Sequence, residues 1–185
     1  MNIRNIVTIA AFGIIFGTAY AIADTVQSPE ASAPAAAPAA EPAAAPVPAA
    51  AATGPTPLEK IAATKVGELK NPYANANDEV IQQGRKKYLG ASCNGCHGGS
   101  GGGGMCPPLS NDVWVYGSDD DTLFRLISLG SIEFTKQTGV SRKGRENVVG
   151  PMPAHGTIVK TEDDLWKIIT FIRSNYRGDP SKKNW

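Results

Sequence analysis

Side chains able to bind metal are scarce in this sequence. Its 185 residues hold three cysteines, two histidines and three methionines. Only one Cys-x-x-Cys pair is present, Cys93 and Cys96, and no second pair accompanies it. A closed tetrahedral zinc site therefore lacks its four ligands. The flanks of the pair show no βαβ pattern, which disfavours a thioredoxin-like redox pair. Excess charge of either sign is also missing: residues 58–185 carry 17 Lys+Arg against 14 Asp+Glu. That balance argues against nucleic acid as a partner. A glycine run, 98–104, is broken only by Ser100, but no Gly-Lys-Ser/Thr follows and no strand precedes it. A phosphate-binding loop is thereby disfavoured, and a flexible loop making a tight turn is the better reading.

The chain falls into three parts. Residues 1–23 read as a secretory signal peptide, with Arg4, an apolar run from Ile6 to about Gly17, and the small-residue site Ala21-Ile22-Ala23. The alternative is an uncleaved anchor, because residues 18–23 are weakly polar and extend the apolar stretch towards spanning length. Residues 24–57 are mostly alanine and proline. Pro34, Pro38, Pro42, Pro46 and Pro48 prevent a long helix, and alanine buries too little surface to drive a core. This segment is expected to be a disordered tether. Residues 58–185 suffice for one compact domain but not two. With the leader removed, no membrane span is expected.

What is there centres on Cys93-Asn94-Gly95-Cys96-His97. Two thiols separated by two residues, with histidine next, form the attachment pattern for c-type haem. The spacing lets each thiol reach one porphyrin vinyl, and the following imidazole falls beneath the iron as an axial ligand. A plain structural disulfide is the bland alternative.

Around this motif the chain alternates helices and extended segments. Asn77 or Asp78 can cap a helix carrying Val80, Ile81, Gly84, Tyr88 and Leu89. Glycine is costly inside a helix, so Gly84 predicts that another element crosses closely there. Met105-Cys106-Pro107-Pro108-Leu109 is extended and presents carbonyls, one of which can accept the Nδ1 proton of His97. Cys106 is the odd cysteine, read as a small buried apolar residue or as a thiol able to link two molecules. Trp114 and Tyr116 each carry a donor on an apolar body and are candidates to cover a haem and bond a propionate; ordinary core packing is the alternative. Asp119, Asp120 and Asp121 open a second helix, with Leu123, Phe124, Leu126 and Ile127 as its apolar face and Gly130 as its stop. The acids are explained by capping and the helix dipole. Residues 131–149 are expected to form a polar, basic surface loop with Lys136, Arg142, Lys143 and Arg145, either a docking surface or a solvated insertion. Thr161 starts a closing helix with a capping-box pattern, and Leu165, Trp166, Ile168, Ile169 and Ile172 form its buried face. That helix is expected to cross the first one at Gly84. The tail after Arg177 reads as irregular.

Met152 lies between Pro151 and Pro153 on a stiff, non-helical backbone that can present its thioether to an iron. His155 and Met105 are the other candidates for that sixth position.

Together, Cys93-x-x-Cys96-His97, the Cys106-Pro107-Pro108-Leu109 segment, the Pro151-Met152-Pro153 loop and the closing helix resemble a class I cytochrome c over roughly residues 80–176. Gly103-Gly104-Met105-Cys106-Pro107-Pro108-Leu109, followed by Asp112-Val113-Trp114-Val115-Tyr116-Gly117, looks like cytochromes of methylotrophic bacteria, of the cytochrome c-L or XoxG type and including the c553i-like proteins, that serve PQQ-dependent methanol dehydrogenases. The resemblance implies an all-α fold with about three core helices around one haem c, attached through Cys93 and Cys96. It implies His97 and Met152 as axial ligands, the Pro107 carbonyl bonded to His97, and Leu109, Trp114 and Tyr116 near the haem. It further implies a periplasmic, monomeric electron carrier rather than an enzyme. The expected donor is a PQQ-dependent, lanthanide-type methanol dehydrogenase, and the acceptor a further cytochrome or an oxidase. A haem enzyme or gas-binding protein with an open sixth site is the rival from another class, and a module docked to a larger enzyme is a third reading. One departure from the pattern is Cys106, where class I cytochromes commonly have glycine.

Overall fold

The computed structural model of the chain describes residues 53–112, 114–143 and 150–185. The signal-peptide expectation and most of the tether lie outside the described residues. Five α-helices and one 3₁₀ turn are formed, and no strand occurs among the described residues: α1 (Pro57–Ala63), α2 (Asp78–Gly90), α3 (Asn94–His97), α4 (Asp120–Thr138), α5 (Glu162–Ser174) and the 3₁₀ turn Pro180–Lys182. The fold class is all-α, as expected.

Each of the three long helices begins where a short polar side chain can satisfy an otherwise unpaired N–H group. Asn77 accepts from Val80, Asp119 from Thr122, and Thr161 from Asp164. Helix α5 is buried along Leu165, Trp166, Ile168, Ile169 and Ile172, the apolar positions that its spacing predicts. Its main partner is α2, and the two meet at Gly84. A Cβ there would lie 2.0 Å from the Lys167 carbonyl oxygen. Tyr88 and Phe171 pack beside this crossing with ring centroids 5.2 Å apart. Leu89, by contrast, is exposed and lies off the buried face.

Two elements differ from the expectation. The residues after Gly130 are not all loop, because α4 resumes there and runs to Thr138. Gly130, with φ +73°, is the one residue within it whose backbone angles are not helical. The helix continues because Phe134 is buried, edge-on to Tyr116 at 5.7 Å, and Gly139 then closes the helix in the left-handed region. Of the remainder, 144–149 lie outside the described residues. The acidic run also does more than cap. Asp121 pairs with buried Arg125 at 2.9 Å and accepts the Leu69 N–H, while Asp120 accepts from Asn71 and from Arg173. These bonds tie the 64–71 segment and α5 to the start of α4.

Helix α1 lies at the edge of the alanine and proline tract, where composition alone predicts no fold. Thr56 and Glu59 form a reciprocal capping box, and Ile61 enters the core. Pro55 accepts the Glu162 N–H at 2.8 Å, so the contacts of the folded body reach at least that residue. Thr56→Ala removes the acceptor for the Glu59 N–H and is expected to cost about 1 kcal/mol. A urea titration checks this: the midpoint falls and the slope is unchanged.

Candidate functional site

Helix α2 ends at Gly90, and the Cys93 N–H still reaches back to the Tyr88 carbonyl, so α3 follows almost at once. Beyond His97 the glycine run turns back on itself. The Gly103 N–H donates to the His97 carbonyl at 2.9 Å, Cys106 N–H to Cys96 at 3.1 Å, and Leu109 N–H to Gly101 at 2.7 Å. The loop expected to be merely flexible is therefore hydrogen-bonded along its length. This return brings the Pro107 carbonyl to the His97 ring, where Nδ1–H donates to it at 2.9 Å. The other ring nitrogen, Nε2, keeps its lone pair free for a metal. Burial pushes the His97 pKa below its ordinary value, which favours the neutral ring that a metal requires. Tyr88 Oη donates to the Gly98 carbonyl at 2.7 Å and pins the start of the loop to α2.

A cavity of about 520 Å³ opens above these residues. Of the predicted site residues, Cys93, His97, Pro107, Leu109, Trp114, Tyr116 and Met152 all line it. Cys96 is half-buried and is not among the lining residues; its side chain lies beside that of Cys106. Burial pushes the Cys93 thiol up to about 11. Of the three candidates for a sixth ligand, Met152 alone lines the cavity. Met105 is 62% exposed, and the His155 ring bonds the Pro153 carbonyl at 3.0 Å. Among the described residues, no three His, Cys, Asp or Glu side chains gather as a metal-binding group.

Among the lining residues outside the site that the sequence predicts are Arg142, Ser131 and Ile132. Arg142 belongs to the stretch expected as surface loop, and the other two are reached only because α4 resumes after Gly130. A helical spacing from Ile127 through Ser131 to Phe134 is the signal that points to them. The C-terminal tail reaches the site from behind. Trp185 stacks on Trp114 with centroids 5.4 Å apart, and Arg173 lies over Trp185 at 5.0 Å.

The lining suits a large, flat, mainly apolar group bearing a few anionic substituents. Its volume falls within the ~300–1,000 Å³ usual for cofactor pockets. The Trp114 Nε1–H is buried without a partner, a donor available to an anion, and Arg142 adds a cation. One imidazole and one thioether supply the donor pair of a low-spin haem iron. The residues fit a haem.

An all-α domain with a c-type attachment motif at the floor of such a cavity defines a haem-carrying electron-transfer protein. The family model for cytochrome c matches residues 81–175, just over half the chain, and the chain belongs to that family. A covalently bound c-type haem follows from this membership. Among solved structures, the chain is similar to cytochrome CL from the marine methylotrophic bacterium Methylophaga aminisulfidivorans MPT. The identity is 28%, the TM-score is 0.44, and the match covers 61% of this chain and 63% of that one. No curated protein matches. Among the described residues, no helix is long and apolar enough to cross a membrane.

Proposed function

We propose that the chain is a periplasmic electron carrier that takes electrons from a PQQ-dependent, lanthanide-type methanol dehydrogenase and passes them to a further cytochrome or an oxidase. Cys93 and Cys96 are its attachment residues, and His97 and Met152 its axial ligands. The observation that carries the ligand assignment is the shared cavity, which gathers the Pro107-bonded His97 ring and the Met152 loop and leaves Met105 and His155 out.

When bound, the haem supplies a one-electron couple between ferric and ferrous iron. The chain supplies the rest. The Pro107 carbonyl fixes the His97 tautomer and enriches its free nitrogen in electron density. The Met152 thioether favours the ferrous state and raises the potential relative to a second imidazole. Trp114 Nε1–H and Arg142 stand ready for the anionic substituents. Apolar walls from Leu123, Ile127, Ile168 and Ile172 exclude water. The donor assignment is supported by the sequence likeness of residues 103–109 and 112–117 to cytochromes that serve methanol dehydrogenases.

Stopped-flow reduction of the ferric protein by a lanthanide-type methanol dehydrogenase with methanol tests the donor. Saturable reduction is expected, slowing on the order of tenfold from low to high salt if charges steer the encounter. No reduction, with ascorbate still effective, keeps the carrier and discards the methanol partner.

A further inference from the structure

We infer that Ser131, at the break in α4, is the positioning residue that holds Met152 on the haem iron. This inference rests on Met152 being the sixth ligand.

Pro151 and Pro153 have no N–H, so Met152 owns the single backbone donor of the three-residue ligand loop. That donor and the Met152 carbonyl are both taken by one residue. Met152 N–H donates to Ser131 Oγ at 3.0 Å, and Ser131 N–H donates to the Met152 carbonyl at 2.9 Å. Ser131 is 6% exposed, so neither bond competes with bulk water.

The break in the helix makes the clasp available. In an unbroken helix the Ser131 N–H would bond the Ile127 carbonyl. Gly130, at φ +73°, turns the Ser131 N–H away to Met152 and frees carbonyls one turn earlier. Ile127 then accepts the His155 N–H at 2.9 Å, and Ser128 accepts the Gly156 N–H at 3.0 Å. The helix has exchanged rungs of its own ladder for rungs to the ligand loop. The approach is close: a Cβ on Gly130 would stand 2.7 Å from the Met152 carbonyl oxygen and 2.8 Å from the Ala154 nitrogen. Four backbone-directed bonds thus attach the loop to α4, and the two nearest the thioether both belong to Ser131. Freedom of this loop would let a competing ligand displace the thioether, because methionine binds the iron as a weak neutral donor.

The test is competition by imidazole for the sixth position of the ferric holoprotein, followed through the long-wavelength absorption band of methionine-ligated ferric haem. Ser131→Ala removes one clasp bond and is expected to bind imidazole about fivefold more tightly than the parent. A control separates positioning from other effects. Thr170→Ala removes a buried hydroxyl, outside the cavity lining, that donates to the Trp166 carbonyl at 2.9 Å and accepts from Asn71. It should stay within about twofold of the parent, since the bonds of Thr170 do not involve the ligand loop. Equal imidazole affinity in Ser131→Ala and the parent would overturn the positioning role, as would an equal gain in the control. Met152→Ala isolates the underlying assignment: if it leaves the long-wavelength band in place, the sixth ligand is another residue, and the clasp loses its purpose for that separate reason.

Discussion

Met152→Ala is expected to lower the reduction potential by on the order of 0.1 V or more, within the roughly 0.8 V range over which axial ligation tunes haem. It should also make the ferrous protein bind carbon monoxide at neutral pH. Both effects have one cause. Thioether sulfur stabilises ferrous iron, so its loss favours the ferric state, and an alanine methyl cannot occupy the vacated coordination position. Neither rival can readily replace it. His155 is held by its ring to the Pro153 carbonyl and by its N–H to Ile127, and Met105 projects into solvent on the return loop. Potentiometric titration and carbon monoxide difference spectra measure the two effects. Met105→Ala, treated identically, should change neither. If carbon monoxide binds the unmodified ferrous protein, the sixth position is open and a haem enzyme or gas-binding protein becomes the better reading. If Met152→Ala keeps the parent spectrum, the ligand lies elsewhere.

Much of the scaffold is legible in the sequence because its signals are local. Asn77, Asp119 and Thr161 announce helix starts, since a short polar side chain must meet donors within the next three residues. Gly84 announces a crossing, because a glycine's cost inside a helix needs an offsetting close approach. The attachment motif is contiguous, so its chemistry is written into five successive residues. The features that escape such a reading depend on distant partners. Gly130 looks like a helix terminus from its neighbours alone. Only the ligand loop, some twenty residues on, supplies the hydrogen bonds that let the helix pass through it. Asp121 resembles an ordinary first-turn acid, and its burial follows from Arg125 and the Leu69 N–H. Cys106 reads as a lone cysteine because its contact with Cys96 is made by the fold of the glycine loop. Helix α1 is hidden by its position at the edge of an alanine and proline tract, whose composition obscures the Thr56 and Glu59 capping pair.

Gly84→Ala is expected to destabilise the holoprotein by about 3 kcal/mol, the upper end of the usual cost of overpacking. In an isolated helix the change would be favourable by about 1 kcal/mol, because alanine is the better helix former. Contact geometry reverses the sign. The new methyl would sit 2.0 Å from the Lys167 oxygen, 2.7 Å from its carbonyl carbon and 3.0 Å from Phe171 Cβ. Two of these three atoms are backbone, so no rotamer change relieves the clash, and α2 and α5 must move apart. That separation reaches the site. Tyr88 on α2 and Ile168 and Ile172 on α5 line the cavity, and the Tyr88 hydroxyl holds the loop that leads to Pro107. Thermal unfolding should show a midpoint lower by roughly 10 °C for a domain of this size. Gly90→Ala is the matched control: it lies on the same helix, and a Cβ there meets nothing within 4 Å. It should leave the midpoint unchanged or slightly raised. If Gly84→Ala instead behaves like Gly90→Ala, the two helices do not meet at Gly84, and another contact sets the cavity wall.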